Sequence, residues 1–194
     1  QNRFILKKIT GSKVIKDFQG LATDSRNIKK NNLFLTIKGK NNDGSKFISH
    51  ALNKGARYIV SSKVEKRYRK KTLKVKNEIL FLNKFAKLKR ESSLAKIIAI
   101  TGSVGKTSLK NLIKQLLQNF AKTYSSPKSY NNHLGVPISL SNLTSEDKYG
   151  VFEIGMSKKG EIDNLSKLIK PHIGIITNIG EAHIENFTNI YGIA

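Results

Sequence analysis

The stretch Lys96-Ile-Ile-Ala-Ile-Thr-Gly-Ser-Val-Gly-Lys-Thr-Ser108 decides how this chain folds. Ile97 to Ile100 is an apolar run that reads as a buried strand, and it leads straight into two glycines and then a helix. From Thr107 to Phe120 the residues Leu109, Leu112, Ile113, Leu116, Leu117 and Phe120 recur at i, i+3 and i+4, the spacing of one helix face. Strand, glycine turn and helix in that order are the context a phosphate-binding loop requires. Glycine lets successive backbone N–H groups turn toward an anion, and the helix N-terminus adds partial positive charge. Lys106 is placed to reach β- and γ-phosphates, and the Thr107 hydroxyl to ligate Mg²⁺. The general form of such a loop has a further glycine five residues before Gly105, where this chain has Ile100, so the pattern is the shortened G-x-x-G-K-T. The plainer alternative is an ordinary glycine turn followed by a solvated lysine.

Downstream, Val151 to Ile154 and Ile173 to Ile179 read as buried strands, separated by a helix from about Glu161 to Ile169 that Pro171 ends. Such alternation predicts a parallel α/β sheet. Upstream, Leu33 to Ile37 and Tyr58 to Val60 read as strands around a short helix over Lys46 to Lys54, with Gly55 as its C-cap. A further helix from about Asn77 to Arg90 turns Ile79, Leu82, Phe85 and Ala86 to one side. Glu91-Ser92-Ser93 is the expected boundary, which gives two α/β domains, 1–92 and 93–194.

Two residues should be delivered to the rim where α/β sheets bind ligands: Glu153, at the end of the strand after the loop, and His183, just past the following strand. A carboxylate within Val-Phe-Glu-Ile is costly to bury unless it meets a cation. Mg²⁺ is one reading of Glu153 and His183; a strand-end salt bridge and a surface histidine are the others. Ser129 to Pro137 reads as an ordered loop, either a capped turn or a segment that touches substrate.

The chain has 36 Lys and Arg against 13 Asp and Glu, a net charge of +23, which on its face suggests a polyanionic partner. Only six of those cations are arginine, the side chain best suited to bidentate phosphate and base recognition, and the dense run from Lys63 to Lys76 has no aromatic ladder beside it. The expectation is therefore a solvated basic surface and no nucleic-acid partner, with a basic nucleic-acid-binding phosphate-loop protein as the rival from a different class. No cysteine is present, which excludes disulfide frameworks, thiolate nucleophiles and iron–sulfur clusters. The longest apolar runs fall far short of the roughly 20 residues needed to cross a bilayer. A soluble, cytoplasmic protein without a membrane span is expected.

The motifs resemble the Mur ligase family. They are Thr101 to Thr107, Tyr130-Asn-Asn-His-Leu-Gly-Val-Pro137, Phe152-Glu-Ile-Gly-Met156 with Gly160-Glu-Ile162, and Ile176-Thr-Asn-Ile179 with Glu181-Ala-His183. Thr23-Asp-Ser-Arg26, Leu33-Phe34 and the loop from Gly39 to Asp43-Gly44 extend the likeness toward the N-terminus. The phosphate loop alone would equally fit folylpolyglutamate synthetases or a sister Mur ligase. The Asn-Asn-x-x-Gly-Val-Pro loop and Glu-Ile-Gly-Met favour the member that adds D-Ala-D-Ala to UDP-N-acetylmuramoyl-tripeptide. The resemblance implies that Gly102, Ser103, Val104, Gly105, Lys106, Thr107 and Ser108 bind ATP phosphates, that Thr107 and Glu153 hold one Mg²⁺ and that His183 holds a second. Asn131 or Asn132 would help position the reacting groups, giving a catalytic set of Lys106, Asn131, Asn132, Glu153 and His183. Asp24, Ser25, Arg26, Gly39, Asp43 and Gly44 would receive the UDP-sugar. The implied reaction is ATP-dependent amide ligation through an acyl phosphate. Family members continue into the rest of the ATPase domain, with a lysine that becomes carbamylated, and into a C-terminal domain. The sequence starts at Gln1 and stops at Ala194, so the expectation is an N-terminal piece without that C-terminal domain, inactive in ligation by itself.

Overall fold

Parallel strands buried on both faces need no polar alternation, and the central runs Leu33–Leu35 and Ile97–Ile100 are accordingly continuous and apolar. The computed structural model describes residues 1–11, 16–39, 42–128 and 130–181. Its contacts divide between Lys89 and Arg90 into two units, each with its own parallel four-stranded sheet.

In the first unit the helix α1 (Asn2–Thr10) is closed by Gly11 at φ +67°, whose N–H donates to Lys7 O. The strands β1 (Leu21–Ala22), β2 (Leu33–Leu35), β3 (Tyr58–Ser61) and β4 (Thr72–Lys74) lie in chain order across the sheet. Register pairs Phe34 with Ile59 and Ile59 with Thr72. Between β2 and β3 the chain makes a 3₁₀ turn over Gly44–Phe47 and the helix α2 (Ile48–Asn53), whose Ile48 and Ala51 pack with Ile28, Phe34 and Ile59. The helix α3 (Glu78–Glu91) buries Phe81, Leu82, Phe85 and Ala86, with the Phe81 and Phe85 rings stacked at 5.8 Å. The basic run is a 3₁₀ helix over Lys66–Lys71 with no buried residue.

In the second unit the order is β6 (Thr123–Ser125), β7 (Tyr149–Glu153), β5 (Lys96–Thr101), β8 (Ile173–Ile176). The chain leaves β5 through α4 (Lys106–Gln118) toward β6, and leaves β7 through α6 (Glu161–Ile169) toward β8 on the other side of β5. Right-handed crossovers running in opposite directions put α4 and α6 on opposite faces of the sheet. The loops after β5 and β7 therefore diverge, and a crevice opens between them at the carboxyl ends of the strands. α5 (Gly135–Ser141) packs against α6, and all seven of its residues are buried.

Two expectations are corrected here. The segment read as a loop through Pro137 turns helical at Gly135, because proline is tolerated in a first helical turn, where its missing N–H leaves no bond unmade. The strand expected through Ile179 ends at Ile176 and is not buried: Ile173 and Ile176 are 55% and 64% exposed. Among the described residues it lies at the sheet edge, paired with β5. The periodic face of α4 is divided, with Leu109, Ile113 and Leu117 half-buried and Leu112 and Leu116 more than half exposed, while the residue that α4 buries fully is Lys110.

Candidate functional site

β5 ends at Thr101, and the next residue must be glycine. A Cβ on Gly102, which sits at φ +130°, would fall on Thr177 Oγ1 and within 2.9 Å of Asn178 O. The segment after β8 presses this closely because it holds the loop: Ser103 N–H donates to Asn178 O at 3.1 Å, and Val104 N–H to Asn178 Oδ1 at 2.9 Å. Ser103 Oγ donates to Gly180 O at 3.0 Å and accepts from Gly180 N–H at 2.8 Å. Gly105, at φ +83° with open space around its α-carbon, reverses the chain into α4. No side chain caps α4 and no acidic residue lies in its first turn, so its leading N–H groups face outward with the positive end of the helix dipole. Ser103 and Val104 thus spend their N–H groups on Asn178, and the backbone donors left for an anion are those from Gly105 to Ser108.

A cavity of about 550 Å³ lies against this loop. Gly102, Ser103 and Lys106 form one wall, Asn131 to His133 another, and Met156, Lys158 and Glu161 a third. Lys106 folds back, its ammonium donating to the carbonyls of Gly102 and, at 3.0 Å, Ser103. Its Nζ therefore lies at the cavity wall, over the loop.

Glu153, at the end of β7, is buried and meets a cation of the chain itself, the strand-end salt bridge that is one of its two readings from the sequence. Thr107 Oγ1 donates to its Oε2 at 2.8 Å, Asn131 Nδ2 donates to its Oε1 at 2.9 Å, and Lys110 Nζ stands 3.4 Å from Oε2. Lys110 and Glu153 are each 2% exposed. The two oxygens brought together, a hydroxyl and a carboxylate, are hard ligands that fit Mg²⁺, an ion usually held by one or two carboxylates with phosphates and water completing its shell. Among the described residues no group of three or more His, Asp or Glu could hold a metal unaided. His183 lies outside the described residues.

The segment after Tyr130 splits its work. Asn131 reaches Glu153, and Gly155, which follows β7, leaves room for it: a Cβ there would meet the Asn131 side chain at 2.9 Å. Asn132 Oδ1 instead accepts from Leu134 N–H at 3.1 Å and Gly135 N–H at 2.8 Å, which caps the start of α5. Glu161 accepts from Ser157 N–H and Lys158 N–H, and the Ser157 bond foremost holds its carboxyl below the usual range.

In the first unit Asp24 accepts from Arg26 N–H at 2.9 Å and is forked by the Arg26 guanidinium, with Nη2 to Oδ2 at 2.8 Å. Ser25 Oγ lies 2.9 Å from His50 Nδ1, and Lys54 Nζ donates to Arg26 O, so α2 supports this turn. Asp43 Oδ1 accepts from Ser45 N–H, which lowers its pKa. Gly39 N–H donates to Asn42 O at 2.8 Å, and a Cβ on Gly44 would meet Ile37 O at 2.9 Å. Lys40 and Asn41 of that loop lie outside the described residues.

Lys110 is a site residue without a reading from the sequence, whereas His133 and Glu161 are read there only as parts of motifs, with no role of their own. The signal for Lys110 was its spacing: three residues after Thr107, it shares that helix face.

Residues 17–90 match the domain described as Mur ligase family, catalytic domain, and residues 100–194 match the Mur ligase middle domain. The chain is 44% identical over 172 residues to the UDP-N-acetylmuramoyl-tripeptide--D-alanyl-D-alanine ligase of Rickettsia prowazekii, covering 88% of this chain and 38% of that protein. It is 33% identical to the enzyme of the same name from Bacillus subtilis, over 90% of this chain and 39% of that one. The crystal structure of MurF from Acinetobacter baumannii superposes with a TM-score of 0.83 at 31% identity, over 98% of this chain and 43% of that chain. MurF ligase from Thermotoga maritima in complex with ADP gives 0.75 at 29% identity, over 92% and 42%. The chain spans about two fifths of the length of the curated relatives it matches. With both domain descriptions matched in order and the same fold found in those structures, the chain belongs to the Mur ligase family.

Proposed function

We propose that this chain works in an ATP-dependent ligase of cytoplasmic peptidoglycan-precursor synthesis, one that joins D-Ala-D-Ala to UDP-N-acetylmuramoyl-tripeptide. The observation that carries the reading is the meeting of Thr107 and Glu153 at 2.8 Å behind a phosphate loop that lines a cavity. The similarity to ligases of that name supports the choice of substrates. In this reading residues 93–194 hold ATP. The N–H groups from Gly105 to Ser108 face its phosphates, and Lys106 swings from the Gly102 and Ser103 carbonyls to the β- and γ-oxygens. Thr107 and Glu153 would hold Mg²⁺, which when bound would neutralise charge on the transferring phosphoryl group. Residues 1–92 take the UDP-sugar, with Asp24, Ser25 and Arg26 and the turn around Gly39, Asp43 and Gly44 as its contacts.

The reaction balances as two displacements. The terminal carboxylate of the tripeptide attacks the γ-phosphorus and ADP leaves, giving an acyl phosphate. The amine of D-Ala-D-Ala then attacks the acyl carbon, phosphate leaves with the bonding pair, and the proton shed by the nitrogen passes to the departing phosphate or to water as the amide forms. The chain's part is positioning: Asn131 fixes Glu153, and Asn178 fixes the loop.

Calorimetric titration of the chain with Mg²⁺ and ADP tests the nucleotide half, and titration with UDP-N-acetylmuramoyl-tripeptide tests the other. Both ligands should bind, and Lys106→Ala should weaken ADP by on the order of 10- to 100-fold, the loss of one hydrogen bond to a charged group, with the sugar nucleotide unaffected. Equal ADP affinity in wild type and variant would remove the phosphate-loop assignment.

A further inference from the structure

Lysine is almost never fully buried without a partner, yet Lys110 is 2% exposed in the second turn of α4. It does not line the cavity. Its closest contact is the Lys128 carbonyl at 2.6 Å, presented from a left-handed residue at φ +46°. The Glu153 oxygen stands farther off, at 3.4 Å. That separation is long for a charge-assisted hydrogen bond, which is commonly 2.7–2.9 Å. A buried ion pair is a weak source of stability even at good geometry, and an apolar residue of the same volume often does as well. Packing therefore gives no reason for an ammonium here, and its charge and reach must supply one.

Three elements meet at this ammonium. α4 carries it, β7 carries Glu153, and the segment between β6 and α5 carries both Lys128 and Asn131, the residue that holds the other carboxylate oxygen. We infer that Lys110 is a positioning residue, which ties Lys128 to α4 and supplies the interior charge that lets Glu153 keep its Oε2 directed at Thr107 for a divalent cation. The inference rests on the nucleotide-site reading above. It sets Lys106 and Lys110, one turn apart on the helix, to different work: Lys106 lines the cavity, whereas Lys110, like Thr107 and Glu153 themselves, does not, and acts on Oε2 without touching a ligand.

The test measures ADP affinity of the chain twice, with Mg²⁺ and with EDTA, and reads the ratio. In wild type the ratio must exceed one; a ratio of one overturns the Mg²⁺ reading of Thr107 and Glu153, and this inference with it. Lys110→Met keeps the stem and removes charge and donor. It should lower the ratio by about tenfold or more, the range for residues that orient a metal ligand, while affinity in EDTA stays within about twofold. Lys110→Arg should restore part of the ratio. In a Glu153→Gln background Lys110→Met should have no further effect, because a residue acting through Glu153 is non-additive with it. Should Lys110→Met fail to fold, as its melting curve will show, Lys110→Gln takes its place, retaining a donor toward Lys128. An unchanged ratio would show that Lys110 only fills space. A raised ratio would show that it competes with the metal, and an equal loss in EDTA that it supports the loop in general. Each of these overturns the positioning role.

Discussion

Gly102 is where a single methyl group decides the site. Its φ of +130° lies where an L side chain is strained, and the Cβ would land on Thr177 and Asn178, which bind the loop on its other side. Gly102→Ala therefore cannot relax by moving one side chain; it must push the loop off the 177–180 segment. The expected cost is about 1–3 kcal/mol in stability, with a loss of ADP affinity, because the donors from Gly105 onward are aimed by the same bonds. Denaturant melts and ADP titration of this variant check both, and a variant as stable as wild type would mean that the loop is looser than its bonds suggest. Glu153 shows the opposite kind of determination. Its chemistry was legible in the sequence as a carboxylate that needed a cation, but the cation was not, since Lys110 is one lysine among 30 and only the folded chain brings it within 3.4 Å.

At the scale of elements, α5 depends on Asn132, whose side chain accepts the N–H groups of Leu134 and Gly135. Asn132→Ala should cost about 1 kcal/mol without touching the bond between Asn131 and Glu153, so that stability falls while the Mg²⁺ dependence of ADP binding holds; a change in that dependence would give Asn132 a direct role. The turn into α6 rests on Glu161, whose pKa is lowered chiefly by the Ser157 N–H. A depressed carboxylate contributes stability above its unfolded value of about 4.3 and loses that contribution as pH falls through the folded value. Melting temperature should drop between pH 5 and pH 3 more steeply in wild type than in Glu161→Gln, and parallel curves would show that the two N–H bonds add nothing. Elements carried by a strong pattern were legible: the β5 strand, the loop, α4, α6 and α3 lie close to where periodicity and glycine put them. β1, β4 and β6 are two or three residues each, too short for a period to show. α5 is buried on every side, so its residues carry no alternation of polar and apolar. α1 was missed despite its Gly11 cap, since three of its apolar residues, Phe4, Ile5 and Leu6, run in sequence, and a short apolar run does not tell helix from strand.

For the molecule as a whole, two features act against each other. The face of α4 carries Leu112, Leu116 and, just beyond the helix end, Phe120, at four-residue spacing and 53%, 54% and 81% exposed. β8 adds Ile173 and Ile176 at a sheet edge. Exposed apolar surface of either kind favours association in water. The net charge of +23 opposes it, because every copy repels every other. Repulsion between exposed charges reaches about 10 Å at 0.1 M salt and about 3 Å at 1 M, whereas apolar burial is not screened. Raising salt therefore weakens only the opposing term. The chain should stay dispersed at low ionic strength and associate progressively as sodium chloride rises, the reverse of an assembly held by ion pairs. Light scattering across a salt series measures this directly. Leu116→Glu with Phe120→Glu should suppress the salt-driven association and leave ADP affinity unchanged, since neither side chain lines the cavity or touches the loop. Association that instead falls with added salt would assign it to the basic surface, with Lys66–Lys71 as the first segment to neutralise.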